Sequence, residues 1–161
     1  MSSYLNSSDT SKIVEIIGII AVVGSLLFVG FEISQNSRIA IAESQQNFSE
    51  KAIDLSNTVS SNPELAELVV LAGLNQLEIE SMTPSQAGML SFYYQAVLYL
   101  WESLYDSVQS GVLPDSEIDV LKLSPGLDSD YFRLAWARLK LTVNADFAIF
   151  LETLDWNKSR Q

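Results

Sequence analysis

Carboxylates are the side chains of this sequence that could form a reactive or ligand-binding cluster. Glu78 and Glu80 lie two positions apart, and Asp115, Glu117 and Asp119 repeat that spacing. Clustered carboxylate oxygens can bind Ca²⁺, but neither group follows the ligand spacing of an EF-hand loop. We interpret both groups as solvated loop acids and predict no metal site.

Histidine and cysteine are both absent from the chain. It therefore lacks the usual general base near neutral pH, thiol nucleophiles, the common zinc ligands and the Glu-x-x-His pairs of di-iron bundles. It also has no Gly-rich phosphate loop and no Gly-x-Ser-x-Gly motif. These observations predict a protein with no catalytic residues and no cofactor.

Aromatic residues are concentrated in a long helix predicted between Thr83 and Gly111. Together with aliphatic residues they make most of the helix circumference apolar. The residues that could form a core or a pocket there are Tyr93, Val97, Leu100, Trp101 and Leu104. Such residues at helical spacing usually form a core. They could also line a pocket for a lipid, quinone or pigment.

The longest apolar segment of the chain runs from Ile13 to Ile33 and precedes all the residues discussed above. Its 21 residues form about 30 Å of helix, which matches the hydrocarbon thickness of a bilayer. The nearest Ala-x-Ala sequence, residues 40–42, follows too late for a signal-peptide cleavage site. A core helix would need a small domain to surround it on every side. The sequence therefore predicts an uncleaved transmembrane helix.

One side of this segment has small residues, which are Gly18, Ala21 and Ser25. A second transmembrane helix could pack closely there, although lipid-facing small residues are an equal alternative. Lys12 lies before the segment and Arg38 after it, so the flanking charges do not determine its orientation.

The remaining chain has the start and stop signals of helices. Asn62-Pro63 and Thr83-Pro84 each combine a capping residue with a proline at the first helical position. We predict an all-α protein, with a polar tail at 1–12, a transmembrane helix at 13–33, a juxtamembrane helical stalk at 34–61 and an acidic bundle of four to five helices at 62–161. The first two predicted helices of the bundle end near Gln76 and at Gly111. A short acidic helix follows near Ser116 to Leu123, and a break at Ser124 separates it from a helix near Ser129 to Leu141. The last predicted helix is capped by Asn144.

The net charge of −11 disfavours nucleic acid as a partner. Residues 52–121 contain ten acids and no base. One interpretation is that a basic helix neutralises this region within the domain. That predicts ion pairs joining Arg133 or Arg138 to Glu102 or Asp106. The other interpretation is an acidic surface that faces a partner.

Short motifs along most of the chain resemble those of small, uncharacterised bacterial proteins with one N-terminal transmembrane helix. The motifs are Ser25-Leu26, the aliphatic run Phe28 to Ile33, Gln35-Asn36-Ser37-Arg38, Asn62-Pro63-Glu64-Leu65-Ala66, Met82-Thr83-Pro84, Trp101-Glu102 with Tyr105, and Gly111. The resemblance implies a single-pass protein of the bacterial inner (cytoplasmic) membrane. Arginines after the helix in such proteins imply a cytoplasmic C-terminal domain, but this chain has only Arg38 there.

The sequence thus favours a non-enzymatic, membrane-anchored interaction protein, an accessory or scaffold subunit of a larger membrane complex. Its expected partners are the lipid bilayer and other membrane-protein subunits. The alternative is a membrane-tethered carrier or sensor that binds a lipid, quinone or pigment among the aromatic residues. An enzyme acting through Glu78 and Glu80 is the third hypothesis.

Overall fold

The part of the chain that the structure describes is helical throughout. The structure is a computed structural model and describes residues 7–122 and 125–154. Within them it has no strand, which confirms the all-α class. The helices are α1 (Ser7–Ser60), α2 (Pro63–Gly73), α3 (Pro84–Gln109), α4 (Asp119–Lys122), α5 (Asp130–Leu139) and α6 (Ala145–Thr153), with 3₁₀ segments at Ile79–Ser81, Asp115–Ile118, Pro125–Asp128 and Lys140–Thr142.

The chain forms two compact units, Met1–Ala42 and Glu43–Gln161. The first unit contains the N-terminal part of α1, a helix of 54 residues that no proline interrupts. The second unit contains the end of α1 and all later helices. The end of the segment predicted as a stalk therefore belongs to the bundle. Of the predicted N-terminal tail, residues 1–6 lie outside the described residues.

The apolar side chains of the first part of α1 are exposed in the structure. From Ile13 to Ile33 its large apolar side chains are 48% to 71% exposed. In the described part of the chain, α1 alone is long and apolar enough to cross a membrane. The hydroxyl of Ser25 donates a hydrogen bond to the Ala21 carbonyl oxygen at 2.8 Å, so this polar group has a partner within its own helix.

Side-chain caps start the helices of the second unit where the sequence predicted them. The Asn62 side chain accepts a hydrogen bond from the Leu65 amide at 3.1 Å. Thr83 and Gln86 form a capping box, in which each side chain accepts a bond from the other residue's backbone amide, at 3.2 and 2.9 Å. α2 ends at Gly73, before the predicted Gln76.

Helix α3 is the central element, because its apolar residues face several neighbours. Its buried residues are Leu90, Tyr94, Val97, Leu98, Trp101, Leu104 and Val108. Buried residues of α2, α5 and α6 complete the core, including Leu68, Phe132 and Phe147. Burial of each such side chain contributes about 1.5 to 3 kcal/mol, so covering α3 is the main stabilising factor of the bundle.

The C-terminal part of α1 covers one more side of the bundle. Its half-buried residues Phe48, Ala52, Leu55 and Val59 recur at helical spacing. The Ser44 hydroxyl donates a hydrogen bond to the Ser107 hydroxyl of α3 at 3.1 Å. Contact with the bundle thus begins about four turns before α1 ends.

A buried hydroxyl joins α3 to α5. Ser129 is fully buried, and its Oγ lies 2.8 Å from the Tyr94 hydroxyl oxygen. The same Oγ accepts a hydrogen bond from the Phe132 amide at 3.1 Å and so caps α5. The predicted helix from Ser129 to Leu141 is observed as α5 followed by a 3₁₀ turn.

The acidic segment predicted as a helix near Ser116 is a 3₁₀ turn followed by the short α4. Its predicted end at Leu123 and the predicted break at Ser124 lie outside the described residues. α6 begins after Asn144, whose side chain accepts a hydrogen bond from the Asp146 amide at 2.9 Å. This cap is the one that the sequence predicted.

Asn75 connects the end of α2 to the start of α5. Its φ of +53° lies in the left-handed region. Its side chain donates a hydrogen bond to the Asp128 carbonyl oxygen at 3.3 Å and accepts one from the Asp130 amide at 2.7 Å. Asparagine suits this position because it tolerates a positive φ better than most residues.

We predict that Asn75→Ala destabilises the bundle more than Asn75→Gly. Both variants lose two hydrogen bonds, worth about 1 to 3 kcal/mol together, but alanine also strains the left-handed backbone by about 1 kcal/mol. Chemical denaturation of the full chain in mild detergent, followed by circular dichroism, measures the free energies of unfolding. Gln76→Ala, an exposed neighbour, is the control. Equal stability of Asn75→Ala and the unchanged chain would contradict the assignment.

Candidate functional site

The predicted acidic clusters lie on the surface. Glu78, Glu80, Asp115 and Asp119 are exposed, and Glu117 is half-buried. Among the described residues, no group of three or more acids forms a set that could hold a metal ion.

The aromatic stripe of α3 takes part in packing. Val97, Trp101 and Leu104 are buried, and Tyr93 and Leu100 are half-buried. These residues face the helices around α3. Their burial leaves their apolar surface in contact with protein side chains.

The rings beside this stripe contact one another. The Tyr94 ring centroid lies 5.2 Å from that of Tyr93, edge to face, and 5.7 Å from that of Tyr131, stacked. These are ordinary separations for aromatic pairs in a protein core. The stacked rings of Tyr94 and Tyr131 thus contact each other between α3 and α5.

Burial also determines the ionisation of these tyrosines. It raises the pKa of Tyr93, Tyr94 and Tyr131, while the hydrogen bond between Ser129 and Tyr94 and the charge of Arg138 beside Tyr131 act in the opposite direction. The hydroxyls stay protonated at neutral pH. The Tyr131 hydroxyl donates to the Ala87 carbonyl oxygen at 3.0 Å. The Tyr131 hydroxyl thus serves as a structural donor.

The structure gives the two arginines of α5 other partners than those predicted. Arg133 forms ion pairs with Asp128 and, at 3.5 Å, with Asp130. Arg138 donates a hydrogen bond to the Ser91 hydroxyl at 2.7 Å. Asp128 and Asp130 are close to Arg133 in sequence, at the start of α5. Pairing with them therefore costs little conformational entropy.

Glu102 and Asp106, the predicted partners, lie toward α6. A carboxylate oxygen of Glu102 accepts a hydrogen bond from the Asn144 amide, at the start of that helix. Asp106 is exposed and makes no ion pair with the described residues. The two acids are therefore one helical turn apart on a surface that the sequence did not assign.

Asp106 lies between two adjoining depressions. One, of about 570 Å³, is lined by α3 residues from Tyr99 to Ser110. The other, of about 400 Å³, lies between α3 and α6 and includes Asp146 and Ile149. We call this surface, defined by Tyr99, Glu102, Asp106, Asp146 and Ile149, the Asp106 groove. Only the acidity of this surface could be predicted from the sequence, because packing determines which α6 residues contact α3.

The small residues of the apolar segment remain on an open helix surface. Gly18, Ala21 and Ser25 are all exposed. Apart from its chain neighbours and the adjacent backbone of α1, no described atom lies within 4 Å of the place where a Cβ on Gly18 would be. The structure thus leaves room for a neighbouring helix at this face and includes none.

Glu152 of α6 is bonded to two residues near the end of α5. It accepts hydrogen bonds from the Trp136 ring nitrogen at 3.0 Å and from Lys140 Nζ at 3.2 Å. These bonds lower the pKa of Glu152, with the Trp136 bond the larger cause. Since Glu152 is exposed, we treat the pair as an orienting contact between α5 and α6.

No protein-family model, curated protein or solved structure matches the chain. The resemblance to small bacterial membrane proteins stays a prediction from short motifs.

We predict that Lys140→Gln raises the pKa of Glu152 toward its ordinary value of 4.5 without reaching it, because the Trp136 bond remains. The folded-state pKa is lowered, so this contact stabilises the fold above pH 4.5, and the contribution is lost as pH falls through the folded-state value. Side-chain carboxyl NMR titration measures the pKa. Lys51→Gln, which removes a distant base, should leave it unchanged. An unchanged pKa in Lys140→Gln would contradict the pairing.

Proposed function

We propose that this chain is a single-pass membrane protein without enzymatic activity, an accessory or scaffold subunit that binds other subunits of a membrane complex. The observation that supports it is the structure of α1. One uninterrupted helix begins as an exposed apolar segment as long as a bilayer is thick and ends among the helices of a packed bundle. Such a helix tethers a folded domain to a membrane.

Energetics support the crossing. The 11 Ile, Val, Leu and Phe residues between Ile16 and Phe31 contribute about −3 to −6 kcal/mol to insertion. Glu15 and Glu32 lie next to the ends of this stretch, where the cost of a charge is smaller. The internal hydrogen bond of Ser25 satisfies its hydroxyl without water.

Binding, rather than catalysis or ligand transport, agrees best with the second unit. Its aromatic residues contact one another, and its clustered carboxylates are solvated. What the unit presents to its surroundings is a large acidic surface, including the Asp106 groove. A surface of this kind suits recognition of another protein.

We place the protein in the bacterial inner membrane with its second unit in the cytoplasm. This assignment rests on the resemblance of the motifs from Ser25 to Arg38 to those of small bacterial membrane proteins. The bilayer and neighbouring membrane subunits are the proposed partners.

We expect single cysteines on opposite sides of the apolar segment to differ in accessibility. Because the chain has no cysteine, Ser3→Cys and Ser110→Cys each introduce a unique thiol. A membrane-impermeant maleimide applied to intact bacterial spheroplasts should label Ser3→Cys, and should label Ser110→Cys only after lysis. The unchanged chain controls for background. Labelling of both thiols before lysis would contradict the crossing, and the reverse pattern would contradict the orientation.

We expect the full chain, isolated from native membranes in mild detergent, to migrate as a complex larger than its monomer. Crosslinking before extraction followed by native mass spectrometry measures the mass and composition. A chain whose residues 13–33 are replaced by an unrelated transmembrane helix separates anchoring from helix packing. A strictly monomeric, partner-free particle, with and without crosslinking, would contradict the proposed function.

A further inference from the structure

Exposed apolar side chains lie on and beside the Asp106 groove. On the outer face of α3, Phe92 is 72% exposed and Tyr99 is 48% exposed, two helical turns apart. On α6, Ile149 is 61% exposed. Single exposed apolar residues are normal on a protein surface. Here two of them, Tyr99 and Ile149, border adjoining depressions that meet at Asp106.

Tyr99 has a fixed position at one end of the groove. Its hydroxyl oxygen accepts a hydrogen bond from Gln95 Nε2 at 2.8 Å, one turn earlier in α3. An aromatic ring held in this way loses little conformational entropy when a partner covers it. Tyrosine is also among the residues that contribute most to binding at interface centres.

Among the described residues, no Lys or Arg forms an ion pair with the carboxylates of the groove. Glu102, Asp106 and Asp146 line it, and neither depression is lined by a Lys or Arg. Within the described residues, the ion pairs are formed elsewhere, by Arg133 and Lys140. The groove is thus a negative surface with apolar contacts at its two sides.

We propose that the Asp106 groove binds a helix of a partner protein that presents lysine or arginine beside apolar residues. This inference rests on the proposed function and names the chemistry of the partner. The apolar residues cover Tyr99 and Ile149, and the cations face Asp106 and Asp146. Burial of the apolar contacts contributes affinity, and the charges contribute specificity and rate of association.

The shape of the groove favours a helix as the occupant. The groove follows α3 from Tyr99 to Ser110, about 16 Å, which corresponds to the three turns over which an amphipathic helix presents its anchors. The described residues offer no strand edge to which an extended peptide could add.

The charge of the groove argues against a second copy of this chain. In a symmetric dimer the same surface of each copy would meet the other. Asp106 and Asp146 of one copy would then approach those of its partner, and like charges in an interface oppose association. A cationic partner of different sequence removes this repulsion.

A synthetic peptide tests the inference directly. The probe is an amphipathic Leu/Ala/Lys helix of about 18 residues, long enough to be helical in isolation. It is titrated into the full chain in nanodiscs of zwitterionic lipid, with amide NMR spectra as the readout and empty nanodiscs as the background. We expect the signals of Tyr99, Asp106 and Ile149 to shift most.

Matched variants distinguish peptide binding at the groove from nonspecific attraction to the acidic protein. Asp106→Asn with Asp146→Asn should weaken peptide binding about tenfold. Glu78→Gln with Glu80→Gln removes the same charge from exposed acids elsewhere and should leave the affinity within about twofold. Ile149→Ser, which keeps the charge, should weaken binding about fivefold. Amide spectra of each variant without peptide confirm that the fold is retained.

Three outcomes would overturn the groove as a docking site. They are equal weakening by both pairs of charge variants, signal shifts centred on other residues, and shifts that appear on raising the protein concentration without peptide. In native membranes, a complex that survives Asp106→Asn with Asp146→Asn would overturn this inference and leave the proposed function intact. Absence of any complex with the unchanged chain would instead overturn the proposed function.

Discussion

Coverage of α3 is the constraint on which the bundle depends. Its buried residues, from Leu90 to Val108, extend around much of the helix, so a single neighbour cannot remove them from water. α2, α5, α6 and the end of α1 each take part of this surface. The positions of the polar groups follow from that arrangement, because each neighbour must also satisfy the backbone amides at its own ends. Asn62, Ser129 and Asn144 do so with their side chains.

The helix starts could be predicted because capping is local. Asn62, Thr83, Ser129 and Asn144 lie within three residues of the amides they bond, and their sequence context is sufficient to identify them. The apolar segment could also be predicted, since its length and composition do not depend on other residues. Sequence therefore determined the all-α class and the order of the helices.

Contacts between helices could not be predicted in the same way. Whether Arg133 faces Glu102 or Asp128 depends on the rotation of α5 about its axis, and the apolar spacing of a ten-residue helix leaves that rotation uncertain by a large angle. The positive φ of Asn75 follows from closing a tight connection, which has no distinct pattern in sequence. The Asp106 groove likewise exists only once α6 lies against α3. For these reasons the sequence left Glu102 and Asp106 between internal ion pairs and a partner-facing surface, and it did not indicate the apolar residues beside them.

Ser129 links α5 to α3 through one buried hydroxyl. Its hydroxyl is fully buried and is shared between Tyr94 and the Phe132 amide. If α5 moved away from α3 without unfolding, the tyrosine hydroxyl would lose its partner inside an apolar region, and such a loss is costly. Separation of α5 from α3 therefore costs this hydrogen bond in addition to the exposed apolar surface. This one hydroxyl therefore makes the packing of α5 depend on the position of Tyr94 in α3.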